Sequence, residues 1–267
     1  MKRRMIVCDL DGTLLDSSGR VSARTRSAIR RVQEAGHLFV IATARPVRDT
    51  RKVAAALGNR SVAVCGNGSV VYDFARGEVV EYVPLVRTDV TSALLALRGR
   101  FPEVRMGAEH GLEMVLEERF DLPLTLCRHA LRVRRLEETL LLQGAGKLMV
   151  QLDGVAGGYF AEVRALLPDF EVTISANLFC EVMRRGVTKA RALERLALAA
   201  GFGSGDVIAF GDMPNDLPML LWAGRAVAVA NAHPDVLAAV AEVTGSNDDD
   251  GVATWLDRMA AGGPFTG

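Results

Sequence analysis

Short apolar runs in this chain alternate with helical segments, and that alternation restricts the fold more than any other feature. Met5 to Cys8, His37 to Ala42 and Ser61 to Cys65 read as strands buried on both faces, because apolar residues run on without a polar alternate. Between the first two lies a segment with Ser22 as a helix N-cap and Gly36 as a stop. Between the second and third, Pro46 opens a helix running to about Leu57. Consecutive parallel strands need such helical crossovers, so the first third predicts a parallel sheet with covering helices. Gly66-Asn67-Gly68 then turns the chain, and Val70 to Tyr72 with Val79 to Val83 read as a hairpin turning near Gly77.

The rhythm breaks after Val83 and returns after Arg185. The middle mixes helical stretches such as Thr88 to Arg98 with short strands such as Leu148 to Leu152, which reads as an α+β insertion. Beyond it, Thr188 caps an alanine- and leucine-rich helix, Asp206 to Phe210 and Ala226 to Ala230 read as strands, and helices fall at Leu217 to Ala223, from Pro234, and at Val252 to Ala260. The expected fold class is therefore α/β, a Rossmann-like parallel-sheet core made of residues 1–83 and 186–267, with an inserted α+β cap domain at 84–185. A length of 267 residues accommodates such a core and a smaller second unit. Asn247 to Asp250 is expected to be a solvated acidic turn.

Acidic and basic residues balance at 32 each, so no global field draws the chain to nucleic acid or to an anionic membrane, and neither is expected as a partner. No obligate protein partner is expected either. The basic Met1 to Met5 segment is followed by too few apolar residues for a signal peptide, and no stretch approaches a membrane span. Cys8, Cys65, Cys127 and Cys180 are widely spaced and are expected to be reduced thiols of a cytoplasmic protein.

Candidate chemistry collects at strand ends and helix starts. Asp9-Leu10-Asp11-Gly12-Thr13 follows the first buried strand, and ligands of open parallel sheets bind beyond the carboxyl ends of the strands. Two carboxylates two residues apart can divide the work of nucleophile or metal ligand and of proton transfer. Thr43 ends the second strand, with Arg45 just beyond. Lys189 opens a helix, where a cation opposes the dipole, and it reads either as a solvated lysine or as one placed there to hold an anion. Gly211-Asp212-Met213-Pro214-Asn215-Asp216 follows another buried strand and offers oxygen ligands of the kind magnesium prefers.

In this order the residues Asp9-x-Asp11-Gly12-Thr13, Thr43, Lys189 and Gly211-Asp212-x-x-Asn215-Asp216 resemble the haloacid dehalogenase superfamily, and the insertion is similar to the large α/β cap of its Cof-type phosphatases. Similarity continues through Ala230-Asn231-Ala232 and Asp250-Gly251-Val252. The chain departs from the family pattern at Ala44 and Ala190, where glycine is frequent. The resemblance implies a magnesium-dependent phosphatase acting on phosphate monoesters of small metabolites, sugar phosphates foremost, through a phosphoaspartate. It implies Asp9 as nucleophile and metal ligand, and Asp11 as general acid and base whose carbonyl also binds the metal. Thr43, Lys189 and Asn215 hold the phosphoryl group, Asp212 is a metal ligand, and Asp216 supports the metal site. A sugar phosphomutase and a non-catalytic phosphometabolite sensor are the alternatives.

His37, His110, His129 and His233 lack metal-ligand spacing and are expected to be structural or solvated. Gly66-Asn67-Gly68 is read as a turn needing positive φ, with a substrate contact from Asn67 secondary. Arg184 and Arg185 are read as solvated charges where the insertion returns to the core.

Overall fold

The computed structural model describes residues 2–58, 61–110, 112–123, 130–139, 144–174 and 178–260. Cys127 and His129 lie outside them. In chain order, the first part comprises β1 (Met5–Cys8), α1 (Ala23–Glu34), β2 (Leu38–Ala42), α2 (Val47–Ala56), β3 (Val62–Cys65), β4 (Val70–Asp73) and β5 (Glu78–Tyr82). The middle comprises β6 (Leu85–Val86), α3 (Arg87–Arg100), β7 (Arg105–His110), β8 (Glu113–Glu117), β9 (Leu131–Val133), β10 (Gly144–Ala145), β11 (Lys147–Gln151), α4 (Ala156–Leu166), β12 (Phe170–Thr173) and β13 (Cys180–Arg184). The last part comprises α5 (Lys189–Ala199), β14 (Val207–Gly211), α6 (Leu217–Trp222), β15 (Arg225–Val229), α7 (Pro234–Ala239), β16 (Glu242–Thr244) and α8 (Gly251–Ala260).

One sheet of eight strands runs in the order β16-β15-β14-β1-β2-β3-β4-β5. Its strands are parallel from β16 to β3, and the hairpin β4–β5 adds an antiparallel edge. All four residues of β1 are buried, as expected of a central parallel strand sandwiched between helices. The predicted helix signals act locally: Ser22 Oγ accepts from the Thr25 amide at the start of α1, and Thr188 does the same for Arg191 at the start of α5. Central β1 lies between β14 and β2, so the loops after these three strands emerge side by side at one edge.

The middle of the chain builds a second sheet, β12-β13-β11-β7-β8-β9, with its own hydrophobic cluster. Helices α3 and α4 cover one face, contributing Leu94, Leu97 and Val163 to a core shared with Leu148, Val150, Cys180 and Val182. Alternation along a strand sends the intervening residues to the other face. Lys147, Met149 and Glu181 therefore share that face, and all three are buried. Among the described residues, Leu116, Phe120 and Leu122 pack with Met149, and the strand-end edge of the larger sheet meets Lys147, whose Nζ donates to the carbonyl of Ala44 at 2.9 Å. An α/β parallel-sheet core with an inserted α+β cap is thus the observed architecture.

The segment Asn247 to Asp250 departs from expectation. It is not merely solvated: Asn247 Nδ2 donates to the Leu15 carbonyl, Asp248 accepts from the Ser17 amide, and Asp250 Oδ1 accepts from the hydroxyls of Ser22 and Thr25. These contacts fasten the loop after β1 to the start of α8, a tertiary pairing across more than two hundred residues of sequence that local charge does not disclose.

Candidate active site

Asp9 stands immediately beyond β1, and its amide continues the ladder by donating to Phe210 of β14 at 3.0 Å. Thr43 follows β2, and Asp212 follows β14. Gly12 has φ +80°, and a Cβ there would lie 2.3 Å from Asp212 Oδ2, so glycine is what lets the first loop lie against the third. Thr13 Oγ1 then donates to Asp212 Oδ1 at 2.8 Å. Asn231 Nδ2 fixes the Gly12 carbonyl at 2.7 Å, and the His233 amide donates to the Asp212 carbonyl at 2.8 Å, so the loop after β15 braces both.

Carboxylate oxygens of Asp9, Asp212 and Asp216 lie within 4.8 Å of one another, and all three residues are buried. Lys189 Nζ reaches into this group, 2.6 Å from Asp9 Oδ1 and 2.7 Å from Asp216 Oδ1. The remaining oxygen of Asp216 accepts from the amides of Asp212 and Met213, holding the acidic loop in shape. Burial pushes the Asp9 carboxyl well above the usual carboxylate range; Lys189 opposes this, while Asp216 and Asp212 add to it. Asp212 is pushed up to about 6, by burial first and by Asp216 next. Burial disfavours charge on Lys189, but Asp216 and Asp9 outweigh it and leave its ammonium raised. Three buried carboxylates facing one ammonium leave negative charge uncompensated. An all-oxygen donor set of this kind suits a hard divalent cation.

Asp11 takes a different direction. Its carboxylate accepts from Arg45 Nε at 2.7 Å and Nη2 at 2.5 Å, a two-point pair, and its side chain is 57% exposed. Thr43 Oγ1 accepts from the Arg45 amide at 3.1 Å, which ties the hydroxyl to the same loop. Asp9, Asp11, Thr43 and Asn215 line one cavity of about 160 Å³. Lys189, Asp212 and Asp216 are not in its lining; they lie behind Asp9. The structure thus brings the sequence-predicted residues together, with Asp216 inside the carboxylate cluster and the Asp11 carboxylate outside it.

The opposite wall comes from the cap sheet and includes Glu109, Lys147 and Glu181, which sequence reasoning missed. Lys147 Nζ donates to Glu181 Oε1 at 2.5 Å and lies 3.6 Å from Glu109. Glu181 Oε2 accepts from Asn67 Nδ2 at 2.6 Å, and Asn67 Oδ1 accepts from Asn215 Nδ2 at 3.1 Å. This chain of contacts joins β11 and β13 to the loops after β3 and β14. Asn67 has the left-handed φ expected of the turn, +53°, but its buried side chain is the centre of the relay rather than a secondary contact. A signal was present: Lys147 and Glu181 are charged residues embedded in the apolar runs of β11 and β13. Arg184 and Arg185 are exposed, and Arg185 sits near Asp169. Among the described histidines, His37 accepts from the Arg4 amide, His110 meets the Gly144 carbonyl, and His233 caps α7.

A family model described as haloacid dehalogenase-like hydrolase matches residues 6–256, nearly the whole chain. The chain belongs to the haloacid dehalogenase-like hydrolases. Among curated relatives, this hydrolase is 29% identical to the 5-amino-6-(5-phospho-D-ribitylamino)uracil phosphatase YcsE of Bacillus subtilis, over 94% of this chain and 93% of the relative. It is also 29% identical to the pyridoxal phosphate phosphatase YbhA of Escherichia coli, over 96% and 98% respectively. A solved haloacid dehalogenase-like hydrolase from Bacteroides thetaiotaomicron superposes with a TM-score of 0.82 at 28% identity, covering 97% of this chain and all of that one.

Proposed function

We propose that this enzyme, a phosphoric monoester hydrolase, cleaves small phosphorylated metabolites with the help of magnesium, through a phosphoaspartate formed on Asp9. The observation that carries the reading is the position of Asp9. Its carboxylate lies at the cavity floor, 2.6 Å from the Lys189 ammonium, in a cluster with Asp212 and Asp216.

Asp9 and Asp212, with the Asp11 carbonyl, would hold the cation, and Asp216 would support them. Bound there, magnesium supplies positive charge that lets a phosphate dianion approach a carboxylate. Lys189 adds charge of the same sign beside Asp9, while Thr43 and Asn215 orient the phosphoryl oxygens. An Asp9 oxygen attacks phosphorus, the ester P–O bond breaks, and protonated Asp11 gives its proton to the leaving alkoxide. Asp11 then takes a proton from water, whose oxygen attacks phosphorus, and the P–O bond to Asp9 breaks to release phosphate. Proton delivery requires the Asp11–Arg45 pair to part.

Residues 84–185 act as a lid hinged near Tyr82 to Leu85 and Met183 to Gly186, closing over the ester and supplying the wall that selects it. The reaction takes place in the cytoplasm; the free, buried Cys8, Cys65 and Cys180 fit a reducing setting. The resemblance drawn from sequence favours a sugar ester, whereas the relatives named above are called phosphatases of a ribitylaminouracil phosphate and of pyridoxal phosphate.

A single-turnover reaction with a phosphorus-labelled ester, quenched in acid, tests the reading. Label is expected on the peptide containing Asp9, with none when magnesium is chelated. Steady phosphate release without label on that peptide would replace the covalent route with direct attack by water.

A further inference from the structure

The wall facing Asp9 has two distinct parts. Lys147, Glu181 and Glu109 form its charged part, and Met114, Leu122, Met149, Leu178 and Phe179 form its apolar part. The charged part is already satisfied internally. Lys147 is used by Ala44, Glu181 and Glu109, and both oxygens of Glu181 are used, by Lys147 and Asn67. Glu109 lies between Lys147 and Arg48, and Arg45 is committed to Asp11. Of the described polar side chains in the lining, Asn215 keeps a buried Oδ1 without a partner. Among the described residues, the wall that the cap contributes has little to offer a ring of hydroxyls, each of which loses water on entry and needs a replacement.

The apolar part has the opposite character. Met114 and Met149 belong to a small buried cluster with Leu116, Phe120 and Leu122, against which Phe179 packs at 5.8 Å from the Phe120 ring. Thioethers, leucine methyls and a phenyl ring make a surface that favours a flat aromatic group. The cavity, about 160 Å³, has room for one ring beside a phosphoryl group.

We infer that the preferred substrate is the phosphate monoester of a single aromatic or heteroaromatic alcohol, with the ring against Met114, Met149 and Phe179 and the phosphate at Asp9. This rests on the phosphatase reading above and replaces its sugar ester with a ring. The phosphoryl group passes to Asp9 and then to water as described; the ring leaves as its free alcohol.

Binding and turnover separate the two ideas. Calorimetry with magnesium present compares benzylphosphonate, which cannot be hydrolysed, with the phosphonate isostere of glucose 6-phosphate. Benzylphosphonate is expected to bind at least about tenfold more tightly. Phe179→Ala should bring the ratio toward one. Leu178→Gln, at a side chain 39% exposed, repeats the comparison with less burden on folding. Equal or tighter binding of the sugar phosphonate overturns the ring pocket, even if phosphate is released from both benzyl phosphate and glucose 6-phosphate. A ratio insensitive to both substitutions overturns it as well. Tight, ring-selective binding with no phosphate release from any ester supports the ring pocket and removes the phosphatase reading instead.

Discussion

Lys189 Nζ lies 2.6 Å from Asp9 Oδ1, and both side chains are buried. An ammonium and a carboxylate at this distance out of water are strongly interdependent. Removing one partner of a buried pair costs about 3–5 kcal/mol, because the other is left without compensation. Lys189→Met should therefore lower the melting temperature and reduce kcat by at least about a hundredfold, the scale of losing a transition-state charge stabiliser. Melting curves and phosphate-release rates on the same preparation check both halves.

Asp9→Asn should behave differently. Lys189 keeps Asp216, 2.7 Å away, and the substitution removes a carboxylate whose charge burial disfavours. Turnover is expected to fall by at least about 10⁴-fold, as when a nucleophile is removed, while the melting temperature is held or raised. A folded Asp9→Asn protein with substantial turnover would transfer the nucleophile's role elsewhere.

The carboxylate cluster makes metal-free stability depend on pH. Asp212 moves from the ordinary 3.8 to about 6 on folding, so the native state holds the extra proton between those values. Stability from this group is present below 3.8 and is lost as pH rises through about 6. The loss amounts to about 3 kcal/mol, at about 1.4 kcal/mol for each pH unit of the shift. His37 works the other way: burial first, then Arg4, lowers its pKa, so its contribution fades as pH falls below about 6.5. Thermal melts of chelated protein from pH 4 to 8 should show a decline, and Asp212→Asn should make it shallower while leaving the part that the raised Asp9 carboxyl contributes and the His37 slope.

The buried Lys147–Glu181 pair predicts non-additive mutations. Lys147→Met alone strands Glu181 and should cost about 3–5 kcal/mol. Lys147→Met combined with Glu181→Leu should cost less than the two single changes summed, with a coupling of roughly 0.5–3 kcal/mol. Denaturant titrations of the double-mutant cycle measure it, and a sum within error would mean the pair contributes no coupling.

Gly68 has φ +108°, and a Cβ there would lie 2.3 Å from the Thr188 carbonyl oxygen, at the cap of the helix that carries Lys189. Gly68→Ala should cost roughly 2 kcal/mol or more from left-handed strain and overpacking together. Because the clash falls on backbone next to Lys189, kcat should drop as well. Alanine at solvent-facing Gly77, also at positive φ but with open space around it, provides the contrast: some stability lost, kcat retained.

Much of this protein was written locally. Met5–Cys8 and Val207–Gly211 are strands because unbroken apolar runs can be buried only between covering layers. Ser22 and Thr188 start helices because their hydroxyls satisfy amides three residues on. Asp9, Thr43 and Asp212 were visible because each directly follows such a strand, and adjacent parallel strands must deliver their ends to one edge. Three arrangements were decided only in three dimensions. Arg45 turns the Asp11 carboxylate away from the cluster, Asn67 links Glu181 to Asn215, and Met114, Met149 and Phe179 meet to form a wall. Lys147 and Ala44 are 103 positions apart, and no local propensity relates them. Period-2 alternation in β11 fixes that Lys147 and Met149 share a face. Which face is buried against the strand ends, and so whether that lysine meets solvent or a carboxylate, depends on how the cap sheet packs on the core, a choice made by long-range burial rather than by sequence neighbours.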